Sequence, residues 1–187
     1  MAVAVERFEI DGLVLARPEK FLDSRGYFVS TYDQRQYRDV GIACNFVKDN
    51  QSLSRRRGTI RGLHFQVPPA AQAKLIRVAR GSIFDVAVDL RKGSPTYGRW
   101  RAVTLSAEDG AQFFLPAGFA HGFCTLEADT EVAYKTDAFY APECDKGLRW
   151  NDPDIAIAWP AFAVESTLSD KDANLPAFRT FVSPFTM

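Results

Sequence analysis

Short strand-length runs, separated every few residues by glycine, proline or Asn/Asp, constrain this chain more than any other feature. Lys74–Arg80 alternates charged and apolar side chains, the period of two that buries one face of a strand. Residues 82–90 follow directly across Gly81, and residues 12–16, 27–32, 100–105, 112–115 and 131–136 continue the series. Helical periodicity is rare: one short helix is predicted over residues 34–40 and another near the C-terminus. Such a pattern predicts an all-β fold, a sandwich or barrel of jelly-roll type with a few short helices. Residues 160–187 are less periodic and are expected to pack across that barrel, so residues 1–187 read as one domain.

Composition excludes several classes of function. Lys+Arg and Asp+Glu both number 23, so the net charge is zero. That removes the global electrostatic case for nucleic acid or an anionic membrane and leaves room only for a local basic pocket. No apolar run approaches the ~20 residues of a spanning helix. Residues 1–7 are too short, and charged too early, to act as a signal peptide. Cys44, Cys124 and Cys144 are odd in number and form no CxxC, which predicts free thiols in a reducing cytoplasm rather than disulfides or zinc.

The chain has only two histidines. His64 lies in Arg61-Gly62-Leu63-His64-Phe65-Gln66, six residues after Gly58. His121 lies in Pro116-Ala117-Gly118-Phe119-Ala120-His121-Gly122, after Gly110. These glycine-framed spacings resemble the two halves of a cupin metal site, which implies a double-stranded β-helix. The second histidine of the first half is replaced by Gln66, and no acid follows between Val67 and Ala73. A transition metal needs three or four N, O or S ligands, so no metal is expected. The residues suggest proton chemistry instead. Taken alone, His121 reads as readily as a barrel histidine, bonded to backbone or to a ligand phosphate, as it does as a metal-site remnant.

From Asp23 to Pro160 the chain resembles the dTDP-4-dehydrorhamnose 3,5-epimerases. The matching segments run in order. They are Asp23-Ser24-Arg25-Gly26-Tyr27-Phe28, Asp49-Asn50-Gln51-Ser52, the two histidine segments, Gln72-Ala73-Lys74-Leu75-Ile76-Arg77, Phe84 to Arg91, Tyr134-Lys135 and Trp150-Asn151-Asp152-Pro153. The resemblance implies a cofactor-free, cupin-like homodimer. Its substrate would be a nucleotide-diphosphate 4-keto-6-deoxyhexose, inverted at carbons 3 and 5 beside the ketone.

The resemblance also assigns roles. His64 would be the base, suited by an ordinary imidazole pKa near 6.5. Asp172, in Ser169-Asp170-Lys171-Asp172, would orient it, with Asp170 the weaker candidate. Lys74 would stabilise the enolate oxygen. Tyr134 would reprotonate the opposite face, and Tyr140 would line the pocket. Arg25, Arg61 and Lys171 would hold the diphosphate, and Phe28, Lys48, Asn50 and His121 complete the substrate-binding set. Arg55-Arg56-Arg57 reads as a solvated turn.

Three positions depart from the thymidine-specific pattern: Ser30 stands for glutamate, Lys48 for glutamine and Gln51 for histidine. An end that has lost an acceptor carboxylate reads a base differently, so a GDP- or CDP-linked sugar is a further expectation. The competing readings are inversion at carbon 3 alone, 3,4-ketoisomerisation, a non-catalytic nucleotide-sugar binder and a metal-dependent oxygenase.

Overall fold

A computed structural model describes residues 2–165 and 167–187. The strands are β1 (Val3–Arg7), β2 (Val14–Pro18), β3 (Lys20–Asp23), β4 (Gly26–Val29), β5 (Lys48–Ser54), β6 (Ile60–Gln66) and β7 (Lys74–Arg80). They continue as β8 (Ser82–Asp89), β9 (Trp100–Ser106), β10 (Gln112–Leu115), β11 (Phe119–Thr125), β12 (Thr130–Thr136) and β13 (Asp145–Gly147). Among the described residues there are two short α-helices, α1 (Gln34–Asp39) and α2 (Asp170–Ala173). No helix among the described residues is long and apolar enough to cross a membrane.

The strands form two antiparallel sheets and a detached ribbon. One sheet has the order β1-β2-β10-β7-β12-β5 and the other β13-β6-β11-β8-β9, while β3 pairs only with β4. This is the all-β jelly roll that the strand pattern predicts. Alternation along each strand turns one set of side chains inward. Leu15, Ile76, Val78, Phe113 and Val132 from the first sheet meet Ile83, Ala87, Leu105, Phe119 and Phe123 from the second. Emptying one such site, as in Phe113→Ala, costs about 3–5 kcal/mol.

The outer faces are partly covered as well. Helix α1, capped by Asp33 accepting from the Arg35 and Gln36 amides, lays buried Tyr37 on Val14, Leu75 and Phe114. The C-terminal stretch crosses the second sheet: Phe181 and Phe185 pack edge-on against Phe65, with ring centres 5.2 and 6.1 Å away.

Glycines decide how closely β6 and β11 approach. A Cβ on Gly62, whose φ is +129°, would lie 2.5 Å from the Gly122 Cα and 2.8 Å from the His121 carbonyl oxygen. Only glycine fits both that contact and that backbone. His64 is thereby brought directly opposite His121, the two Cα atoms being register partners.

Candidate active site

His64 stands inward on β6, and its Nε2 lies 2.6 Å from Asp172 Oδ1. The Gly62 amide donates to the other oxygen of Asp172 at 3.3 Å. Asp172 reaches this point because α2 starts there: the Ser169 hydroxyl caps it by accepting from the Asp172 amide. Burial pushes the Asp172 carboxyl up. The His64 hydrogen bond, the Gly62 amide and the Lys171 charge outweigh it and hold the group below its ordinary value. His64 is 31% exposed and Asp172 4%, so the imidazole faces the cavity while its anchor is buried.

Lys74 opens β7, nearly buried, and donates from Nζ to the His64 carbonyl at 3.2 Å. Burial brings its pKa down to about 8, with Asp145 and Asp85 partly opposing that fall. Tyr134 lies on β12, with Asn50 of β5 and Ile76 of β7 as register partners. Burial pushes its phenol up. Arg61 is tied by Nε to Ser54 Oγ at 3.2 Å and by Nη2 to the Leu53 carbonyl at 3.1 Å.

These side chains line two adjoining lobes that share His64, Lys74, Tyr134 and Lys171. The inner lobe, about 270 Å³, adds Arg61, His121 and Asp172. The outer lobe, about 230 Å³, adds Lys48, Asn50, Tyr140 and Asp145. At its rim Tyr140 donates to Asp145 at 3.0 Å, Lys171 donates to the same oxygen, and the Lys48 ammonium lies 5.7 Å from the Tyr140 ring centre. The hydrogen bond to Asp145 raises the Lys171 pKa.

Ten of the twelve residues singled out in the sequence thus share one site. Arg25 and Phe28 do not line either lobe: they sit on the β3–β4 ribbon, where Arg25 is 88% exposed and pairs with Asp23 at 2.6 Å. His121 pairs with a carboxylate rather than with backbone: its Nε2 lies 2.7 Å from Asp85 Oδ1. Asp85 and Asp145 escaped the sequence reading. Asp145 carries no local signal, and Asp85 looks like one more acid in an apolar strand.

Gln66, at the place of the second cupin histidine, has structural partners. It donates to the Ala70 and Phe139 carbonyls at 2.7 and 3.0 Å, and accepts from the Ala141 amide at 2.8 Å. It therefore clamps the loop that carries Tyr140. Among the described residues no three His, Cys, Asp or Glu side chains gather as a metal site.

The family model for dTDP-4-dehydrorhamnose 3,5-epimerase matches residues 7–180. A protein of that name from Sinorhizobium fredii is 53% identical over 163 residues, covering 87% of this chain and 83% of its own length. The structure of dTDP-6-deoxy-D-glucose-3,5-epimerase RmlC from Legionella pneumophila, in complex with dTDP-4-keto-L-rhamnose, superposes with a TM-score of 0.91. It is 40% identical and covers 96% of this chain and 95% of its own. ChmJ, a 3'-monoepimerase from Streptomyces bikiniensis in complex with dTDP-quinovose, is more distant at 35% identity and a TM-score of 0.85, covering 92% of this chain and 87% of its own. By the extent of these matches, the chain belongs to the dTDP-4-dehydrorhamnose 3,5-epimerase family.

Proposed function

We propose that the protein inverts carbons 3 and 5 of dTDP-4-dehydro-6-deoxyglucose, giving dTDP-4-dehydrorhamnose. The observation that carries this reading is the 2.6 Å His64–Asp172 pair, set beside Lys74 and Tyr134 in one cavity. A non-catalytic binder has no need of a base, a cation and an acid together.

A C–H bond beside a ketone ionises only when a base is in place and the resulting charge has somewhere to go. His64 takes the proton, and the C–H electron pair moves into the ring as the ketone oxygen becomes an enolate. Asp172 holds the imidazole and stabilises its cation. The Lys74 ammonium, protonated at neutral pH with its pKa at about 8, supports the enolate oxygen. Tyr134, with its raised pKa, keeps its proton until the opposite face of the carbon needs it. Collapse of the enolate accepts that proton with inversion. His64 then gives its proton to solvent, Tyr134 regains one, and the second carbon follows.

Arg61 and Lys171 bind the diphosphate, and Lys48, Asn50 and Tyr140 serve the nucleotide end. Thymidine is the favoured base despite Ser30, Lys48 and Gln51, because a relative of 53% identity carries the dTDP name. The two-carbon outcome is favoured over carbon 3 alone for the same reason, the monoepimerase being the more distant relative.

The working form is a homodimer. The β3–β4 ribbon exposes Leu22, Tyr27 and Phe28, and holds Arg25 and Phe28 away from the cavity of their own subunit. A second copy completes the site with these two residues and covers that apolar surface. Residues 1–187 act as one unit, and the three free cysteines suit a reducing cytoplasm.

The deciding experiment follows solvent deuterium into dTDP-4-keto-6-deoxyglucose by NMR, with His64→Ala as control. Exchange at both carbons, lost in the variant, supports the reading. Exchange at carbon 3 alone replaces it with the single epimerase, and no exchange with this substrate removes it.

A further inference from the structure

The cavity proposed for a nucleotide diphosphate carries a carboxylate that opposes such a ligand. Among the described residues lining the outer lobe, Lys48, Lys74 and Lys171 carry ammonium groups and Asp145 is the one acid. A negative charge beside an anion's binding place repels the anion. The contacts of Asp145 account for its presence. It opens β13 as the register partner of Gln66 on β6, and its side chain is only 14% exposed. One oxygen, Oδ2, accepts from the Tyr140 phenol at 3.0 Å and from Lys171 Nζ at 2.5 Å. The ammonium assigned to the diphosphate is thus held by a carboxylate of the protein itself, and a diphosphate must compete for it.

The two members of this pair differ in freedom. Asp145 is fixed on a strand, whereas the Lys171 side chain is 53% exposed and lines both lobes. The backbone of Lys171 is held through its neighbour Asp172, which is bonded to His64 and to the Gly62 amide. The lysine arm can therefore swing without moving the His64–Asp172 pair. When it swings away, the Tyr140 phenol still donates to Oδ2, so the carboxylate is not left unpaired. Tyr140 in turn keeps its place at the nucleotide end.

We propose that Asp145 is a displaceable counter-ion for Lys171, holding the ammonium between turnovers and yielding it to the substrate's diphosphate. This rests on the diphosphate role proposed above for Lys171. It predicts that removing the carboxylate tightens ligand binding. Loss of a substrate contact, or a loosened fold, would weaken it.

The test is calorimetric titration of the full-length protein with dTDP. Asp145→Asn keeps the side chain's size and an acceptor for Tyr140. It should tighten dTDP about tenfold, the value of one charge-assisted contact that binding no longer has to break. Removing a negative charge also favours any anion through reduced repulsion. The Lys171→Met background separates the two effects: there, Asp145→Asn should tighten dTDP by less than about threefold. Asp145→Ser carries the test if the amide variant does not fold. Unchanged or weakened binding in Asp145→Asn, equal tightening with and without Lys171, or an unaltered protein that does not bind dTDP would overturn the assignment. Failure of the deuterium exchange with the tightening intact would remove the proposed reaction and leave the counter-ion standing. Exchange without the tightening would do the reverse.

Discussion

His64 and His121 face each other across β6 and β11 as register partners, and each is tied by Nε2 to a carboxylate from a different element. Asp172 comes from a one-turn helix more than a hundred residues after His64, and Asp85 from the neighbouring strand β8. Two anchored imidazoles therefore share one wall of one cavity, with Lys74 and Tyr134 supplied by the opposite sheet.

The first prediction concerns the buried anchor. His64→Ala should cut kcat about 10²–10⁴-fold, the usual contribution of a positioned base. Asp172→Asn leaves the shape but frees the imidazole tautomer, and should lose activity within the same range. Single-turnover rates for the two variants and their double mutant check this, and the losses should be far from additive.

Lys74 sets the alkaline limit. Its ammonium titrates at about 8, so kcat should fall as pH rises through that value. Stability moves the other way. The folded Lys74 loses its proton at about 8 and the unfolded one at 10.5, so between them the unfolded chain holds more protons. Its contribution to unfolding free energy then rises with pH. Urea unfolding of the native chain and Lys74→Met across that window should show the rise only in the former.

Gly62→Ala should destabilise the fold by about 2–4 kcal/mol, combining a strained backbone with overpacking against Gly122. Because β6 must move, His64 should shift from Asp172. Thermal unfolding and kcat should drop together, whereas Gly93→Ala, with open space around it, should bear only the backbone strain.

Gln66→Ala removes the clamp on the loop around Tyr140 and takes the hydrogen-bond partner from the part-buried Ala70 carbonyl and Ala141 amide, at up to about 1–3 kcal/mol per group, while Gln72 still donates to the Phe139 carbonyl. KM should rise about tenfold with kcat changed far less if the loop, as proposed, serves binding rather than proton transfer. Steady-state kinetics separate the two.

The proposed dimer has its own check. Arg25→Ala and His64→Ala should each be impaired alone. Mixed and refolded together they should recover activity, since one of the two sites in a hybrid then has both residues intact. No recovery would place Arg25 outside the partner's cavity.

The strand-length runs were legible: Lys74–Arg80, with its alternating charged and apolar residues, and the apolar run Gln112–Leu115 both stand as strands, and the early helix ends within a residue of its expected bound. Strand β5 was not, because Lys-Asp-Asn-Gln-Ser has poor strand propensity and is held at the sheet edge by pairing with β12 rather than by local preference. The two histidine frames were readable because glycine spacing is a local property of the chain.

The period-two strands and, by resemblance, the residue types expected at the site are written in the chain alone. The tertiary structure alone decided that Asp85 serves His121, that Asp145 ties Lys171 to Tyr140, and that Arg25 and Phe28 stand apart from the cavity. Local propensity acts over a few residues, whereas these contacts are set by sheet register and packing between residues far apart in the chain. Only closure of the two sheets around one core brings them within hydrogen-bonding distance.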